Sequence, residues 1–284
     1  NKTLFSKSVA RTLLAKIYAE KPLRDYTKVI QYCDEVKADG FDLVDDFSDL
    51  FGMNAAGTDA KMRNTKESIL EAQFTSGAGN WCTWMFGRDL VNWNNNFTWA
   101  KWVTPSRDLI SAFKQEGDEV RFKESIVYYD CNWSNYYPSD NYPFMYKCRS
   151  ANSSIIKYRY ADVLLLKAEA LIMQDTPDLE GAADIIDEVR DRAKLGALPT
   201  SVRSNKNVLL NALLKERRLE LAFEGQRWFD LVRLDKVEEV MNAVYAKDSG
   251  RKAQIYTFDK NSYRLPIPQS VIDANDKIHQ NPGY

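Results

Sequence analysis

The chain has 284 residues, 44% hydrophobic and 28% charged, with 39 Lys and Arg against 40 Asp and Glu and a formal net charge of −1. That length allows one large domain or two ordinary ones, with apolar residues enough for a core that needs no disulfide or metal. Near-zero net charge argues against a nucleic-acid binder, which needs a basic face to displace counterions, and no run reaches the roughly 18 apolar residues of a membrane span.

The opening Asn1-Lys2-Thr3-Leu4-Phe5 has no signal-peptide apolar region. Residues 7–20 then predict a helix, with Val9, Leu13, Ile17 and the small Ala10 and Ala15 at helical spacing, stopped by Pro22. Asp25 caps a second helix carrying Val29, Ile30, Cys33 and Val36, which ends near Gly40. Two short antiparallel helices do not bury both faces alone and usually stack on neighbours. Residues 41–160 change character. They are rich in Asn, Gly, Asp and aromatics, with a strand-like run Ser68–Phe74 and one helix over 107–113 after Thr104-Pro105. Long irregular stretches of this kind usually carry function.

The helical pattern then returns. Ala10–Lys16 aligns with Ala161–Lys167, and Ala19 with Ala170 at the same offset. After Thr176-Pro177-Asp178, residues 180–193 carry Ala182, Ile185, Ile186 and Val189 at helical spacing. The pattern is that of a tetratricopeptide-type helix pair used twice. Residues 207–223 form a further amphipathic helix stopped by Gly225, residues 226–234 continue at a new angle, and 236–246 are another short helix. Tyr263-Arg264-Leu265-Pro266-Ile267-Pro268 is excluded from helix by its two prolines and should lie extended across the helical bundle.

Metal and triad chemistry find little support. Cys33, Cys82, Cys131 and Cys148 are widely spaced, without a CxxC or a nearby His, so no zinc site is written. Cys33 reads as a buried thiol. For the other three, which share a segment, pairing stays open. The single His279 lies in a polar tail and reads as a surface residue rather than a triad base. No phosphate-cradling glycine loop appears, and no cofactor is expected.

The irregular segment is where binding chemistry concentrates. The 66 residues from Trp81 to Tyr146 hold 17 of the 35 aromatics and six of the seven tryptophans. Trp81, Trp84, Trp93, Trp99, Trp102 and Trp133 are interleaved with Asn80, Asn92, Asn94, Asn95 and Asn96. A pyranose packs its C–H face flat on an indole, while its hydroxyls take polar partners around the rim. Rings also give contact area at low entropic cost. The same rings could instead fill the core of a loop-rich layer. Three consecutive amides after Trp93 favour exposure, because burying them unpaired is costly. The candidate ligand residues are therefore Trp81, Trp84, Trp93, Asn94, Trp99 and Trp133. Asn132–Pro138, with Tyr136 and Tyr137, is a second candidate loop.

The run Leu214-Lys215-Glu216-Arg217-Arg218-Leu219-Glu220-Leu221-Ala222-Phe223-Glu224-Gly225-Gln226-Arg227-Trp228-Phe229-Asp230-Leu231 closely resembles the signature of the SusD/RagB family. The hairpin of residues 7–38, Phe41–Val44 leading to Phe51, Lys66–Phe74, Arg159–Ala170 and the ending Leu265–Pro268 with Gln280–Tyr284 agree in the family's order. The resemblance implies a mostly α-helical fold built on tetratricopeptide-like pairs, with few short strands and one long irregular, aromatic-rich segment. It implies a single domain over 1–284, with helical scaffold at 7–38 and 159–247 and a candidate ligand-binding segment at 41–158. It implies a non-catalytic, cell-surface protein of the Bacteroidetes outer membrane. Such a protein captures an oligosaccharide and delivers it to a SusC-like TonB-dependent transporter. The family's longer members carry an N-terminal lipidated Cys. Neither that anchor nor the first helical portion is in this chain, which then reads as the C-terminal part of a lipoprotein. The near-neutral charge fits an uncharged ligand.

Two other readings stand beside this one. Glu216, Glu220 and Glu224 form one helical stripe, and paired carboxylates are what a glycoside hydrolase uses. Arg217, Arg218 and Arg227 sit among them, which favours ionised acids in an ion-pair lattice. A helical-repeat adaptor for protein or peptide is the other alternative.

Overall fold

The computed structural model describes residues 1–75, 79–81, 104–132, 136–247 and 257–284. Candidate residues Trp84, Trp93, Asn94, Trp99 and Trp133 lie outside them, as does Cys82. The chain divides into two compact units, Asn1–Gln226 and Arg227–Tyr284.

The first unit begins with α1 (Lys7–Ala19) and α2 (Tyr26–Ala38). The Ser6 hydroxyl accepts the Val9 N–H at 3.3 Å, and the Asp25 carboxylate accepts that of Lys28 at 3.1 Å. Each cap satisfies an amide that the first helical turn leaves unbonded. Gly40 follows α2 with φ +89°, a left-handed position that favours glycine. The buried face of α1 differs from the expected one. Val9, Thr12, Ala15 and Ala19 are buried, whereas Leu13 and Ile17 are 43% and 44% exposed. Small residues set the inward stripe because they let α1 lie close against α2.

The second pair is α6 (Tyr160–Met173) and α7 (Leu179–Arg192), the latter capped by Asp178, which accepts the Gly181 N–H at 2.9 Å. α2 packs directly on α6, so two pairs separated by more than a hundred residues are neighbours in space. α6 is buried almost all round, with Ala161, Val163, Leu165, Leu166, Ala168, Ala170 and Ile172 in the core. That pattern belongs to a central helix, and each such large side chain contributes about 1.5–3 kcal/mol when fully buried. α9 (Lys206–Glu220) closes the layer on α6 and α7, after the single-turn α8 (Thr200–Arg203).

Between the pairs lies the irregular segment. Strand β1 (Ser68–Ala72) pairs antiparallel with β4 (Ile155–Arg159), Ser68 opposite Arg159 and Ala72 opposite Ile155. The segment therefore departs and returns at one place, and β4 runs straight into α6. It also holds the short α3 (Ser48–Phe51), α4 (Arg107–Glu116), α5 (Glu119–Ser125) and the ribbon of β2 (Ile126–Tyr129) with β3 (Tyr142–Met145). α4 starts at Arg107 as expected after Thr104-Pro105, with the Ser106 hydroxyl accepting the Leu109 N–H at 3.1 Å, and runs three residues further than 113.

α9 ends at Glu220, earlier than its apolar periodicity suggests. Phe223 and Gly225 have φ of +66° and +75°, so residues 221–225 form a turn that ends the helix. A bulky residue at positive φ is strained and must be held by its surroundings.

In the second unit, α10 (Arg227–Arg233) and α11 (Val237–Lys247) precede a single 3₁₀ turn, Lys260–Tyr263, and α12 (Gln269–Asp273). The Asn242 amide bonds both backbone groups of Phe258 at 2.9 Å. Gln280 does the same for Ile267, at 2.8 and 2.9 Å. Residues 264–268 are extended, in line with their prolines. His279 is exposed.

Candidate functional site

The expected glutamate stripe forms a dense buried cluster of charge, with Glu216 and Glu220 on α9 and Glu224 in the turn after it rather than on the same helix. Glu220 accepts from Arg159, from Arg192 at 2.5 Å and from Arg121 at 3.0 Å. Glu216 accepts from Arg121 at 2.5 Å and Arg190 at 3.3 Å. Glu224 takes the Arg159 guanidinium side-on, at 2.7 and 2.8 Å, and the Lys147 ammonium at 2.6 Å. Glu67, just before β1, also accepts from Arg159 and Arg192, at 2.7 and 3.0 Å. Glu67, Glu216, Glu220, Arg121 and Arg159 are all essentially without solvent contact. The lattice ties α9 to α5, to the end of β4 and to the end of α7.

Electrostatics settles what this stripe does. Burial pushes the Glu220 carboxyl upward, but Arg192, Arg159 and Arg121 together outweigh it and hold the group well below the usual range. Burial keeps Glu216 raised in spite of Arg121 and Arg190, and Asp118 is raised for the same reason. A general acid must also reach its substrate, and Glu216 is 2% exposed with Arg121 bonded to it. The acids are structural. Their partners are not the arginines adjacent in sequence. Arg217 bonds Asp162 at 2.8 Å and Arg218 bonds Asp108 at 2.6 Å. The cations of the lattice come from elements far along the chain.

Among the described candidates, Trp81 is 72% exposed. Asn80, expected beside the tryptophans, is buried instead. Its amide donates to the Cys148 Sγ at 3.2 Å and to the Ser153 carbonyl at 2.9 Å. Cys33 is buried, and desolvation raises its thiol.

The structure adds an open cleft of about 450 Å³ between α4 and the β2–β3 ribbon. Tyr128 of β2 and Tyr137 of the following loop supply rings, and Arg107, Ser111, Lys114 and Gln115 of α4 face them, with Asn141 on the loop. The Tyr137 ring stands edge-on to Tyr136 (4.8 Å, 89°) and to Tyr142 (5.5 Å, 83°). Its hydroxyl donates to the Pro105 carbonyl at 2.7 Å. The Arg107 guanidinium lies 3.9 Å from the Tyr136 ring centre and 4.9 Å from that of Tyr137, and donates to the Tyr136 carbonyl. These contacts fix ring orientation before any ligand arrives. Tyr137 was legible in the Asn132–Pro138 loop. Tyr128 and the outward face of α4 were not, because no local pattern places them together.

A second cleft, also about 450 Å³, is lined by Phe51, Met145, Cys148, Ile156 and Phe223, with Lys147 and Glu224. Lys147 and Glu224 are already bonded to each other, and burial presses the Lys147 ammonium down to about 8 against the pull of Glu224; Lys157 also lines the cleft. The tyrosine cleft offers flat rings and unburied amides, so it is the better site for a hydroxylated ring. Among the described residues no group of His, Cys, Asp and Glu is placed to hold a metal ion. Among them, too, no helix is long and apolar enough to cross a membrane.

Comparison with known proteins follows the same lines. A model of the SusD family matches residues 140–284. SusD-like protein P38 of Formosa agariphila is 43% identical over 99 residues, 33% of this chain and 19% of its own length. SusD-like protein P2 of the same organism is 36% identical over 143 residues, 48% of this chain and 27% of its own length. Surface glycan-binding protein A from Bacteroides thetaiotaomicron, solved in complex with laminarihexaose, superposes with a TM-score of 0.74 at 19% identity. That match covers 99% of this chain and 65% of that one. A laminarin binding SusD-like protein gives 0.69 at 24% identity, over 99% of this chain and 63% of that one. The chain thus spans less than two thirds of each of these relatives, and the structural likeness shows the fold. With the family model covering its C-terminal half and the helical scaffold shared throughout, this chain belongs to the SusD family.

Proposed function

We propose that this chain binds an oligosaccharide at the outer face of the cell without acting on it chemically. It passes that ligand to a SusC-like TonB-dependent transporter of the outer membrane. The observation that carries the reading is the tyrosine cleft, where two oriented rings face unburied amide and hydroxyl groups. One solved structural neighbour is a laminarin binding SusD-like protein, and another is a surface glycan-binding protein in complex with laminarihexaose. The consumption of the glutamate stripe by buried arginines favours binding over hydrolysis.

Trp81 is exposed and is proposed as a further contact. Trp84, Trp93, Asn94, Trp99 and Trp133 are proposed with it from their composition alone. Calorimetry or affinity electrophoresis against a glycan panel tests the reading, with Tyr137→Leu, Trp81→Ala and Trp93→Ala. Binding should weaken in the variants. No binding by any glycan, or turnover of one by the purified chain, sinks it. Capture of a peptide with no glycan affinity would favour the adaptor instead.

A further inference from the structure

Strand β4 breaks its alternation at the second cleft. Leu70 of β1 stands opposite Tyr158 and Glu71 opposite Ile156, so Lys157 is an extra residue with no partner across the ladder. A bulge of this kind re-aims side chains. Here Ile155, Ile156 and Lys157, three residues in a row, all line the cleft. Another part of the wall is Phe223, the bulky residue held at φ +66° in the turn after α9. Strain of this sort concentrates where a chain clamps a ligand. With Phe51 and Met145 the walls are apolar and aromatic, and a volume of about 450 Å³ suits a small molecule.

The polar groups at this cleft are unevenly used. Glu224 takes three hydrogen bonds, from Lys147 at 2.6 Å and from Arg159 at 2.7 and 2.8 Å. Lys147 gives another to the Glu220 carbonyl at 2.8 Å. Ser154 accepts from Arg63 at 2.8 Å, which leaves its own proton to donate. Lys157 is exposed and has no ion-pair or hydrogen-bond partner among the described residues, and its ammonium lies 5.9 Å from the Tyr158 ring centre. What Ser154 and Lys157 keep for a ligand is a pair of donors, one of them charged.

We infer that this cleft binds a small hydrophobic carboxylate, an aryl- or alkyl-substituted acid. Its apolar body lies against Phe51, Met145, Ile156 and Phe223, and its carboxylate meets Lys157 and Ser154. The site shares no lining residue with the tyrosine cleft and does not depend on the glycan reading.

Methyl NMR of the protein with labelled methionine tests the site, using 3-phenylpropanoate, octanoate and the primary amide of each. Met145→Leu, a swap of similar volume, identifies the Met145 signal among the six methionines. A carboxylate should move that signal saturably. It should bind about three- to fivefold more tightly than its amide at low salt, the effect of roughly one exposed charge pair. Lys157→Met should lower carboxylate affinity by about the same factor, and Lys157→Arg should retain it. Because Lys157 is exposed, both variants should fold as the parent does. A Met145 signal that no probe moves overturns the site. An amide that binds as tightly as its acid, or a preference that survives Lys157→Met, overturns the carboxylate assignment. Either failure leaves the glycan reading of the tyrosine cleft standing.

Discussion

Two regions of the first unit use arginine, carboxylate and aromatic ring to opposite ends. Beneath α9, Arg159 holds the fully buried Glu67 and Glu220 and, at the edge of the second cleft, Glu224. Its guanidinium lies 5.9 Å from the Phe47 ring, and that of Arg192 lies 4.8 Å from it. At the tyrosine cleft, Arg107 lies on two rings at an open surface, and no carboxylate lines the space it faces among the described residues. Charge sealed inside and matched is architecture. At the open cleft the guanidinium instead packs beside aromatic rings and helps to set their orientation. The residue types are alike, and burial decides between the two roles.

The largest expected effect breaks the buried lattice. Glu220→Ala leaves Arg159, Arg192 and Arg121 buried with a missing partner, which should cost about 3–5 kcal/mol. Urea unfolding would show it, and a loss below about 1 kcal/mol would mean that the lattice does not support the fold.

Acid should expose the same region. Asp162 is buried, which raises its carboxyl, yet Lys16 at 2.6 Å and Arg217 at 2.8 Å hold it far below its usual value. A depressed folded-state value means stability that is present above about pH 4 and lost as pH falls below it. Glu220 acts in the same sense, while Glu216 and Asp118, raised in the fold, offset part of it. Asp162→Asn should therefore be less stable at neutral pH and lose stability less steeply on acidification. An unchanged slope would remove Asp162 from the account.

Lys147 gives a change of the same sign on the alkaline side, because its charged form is destabilised by the fold. Burial lowers it from 10.5 to about 8, so the unfolded chain binds more protons between those values. Stability should rise by about 1–3 kcal/mol as pH climbs from 8 to 10.5. Lys147→Met should abolish the rise, and a rise that persists would assign it to another group.

The smallest effect serves as the control. Arg203 also meets three carboxylates, Glu180, Asp184 and Asp187, but Glu180 and Asp184 are about 70% exposed. Arg203→Gln should cost less than about 1 kcal/mol in thermal unfolding. A loss as large as that from Glu220→Ala would mean that partner number, not burial, sets the contribution.

Much of this fold was legible in the sequence where the signal is local. Asp25, Asp178 and Pro22 mark real helix boundaries, and the Ala10 and Ala161 alignment corresponds to two helix pairs that pack together. The α1 stripe was misread because Leu13 and Ile17 are the larger side chains, while close packing selects Ala15 and Ala19. β2, β3 and β4 are too short to show a period, and β1 meets β4 only across the whole irregular segment. The ion-pair role of Glu216 and Glu220 was readable from their spacing among arginines. Their partners Arg121, Arg159 and Arg192 were not, because tertiary packing alone brings them in. At the site, the Tyr136-Tyr137 loop stood out by composition. Its juxtaposition with Tyr128 and α4 needed the folded chain.

The glycan-binding reading turns on sugar recognition by the rings of the tyrosine cleft. Calorimetric titration of a glycan panel with the parent chain and with Tyr137→Leu tests it most directly, because leucine keeps apolar volume and removes the flat ring. The parent should bind, and the variant, still unfolding in a single transition, should bind about five- to tenfold more weakly. Undiminished affinity in Tyr137→Leu would contradict it.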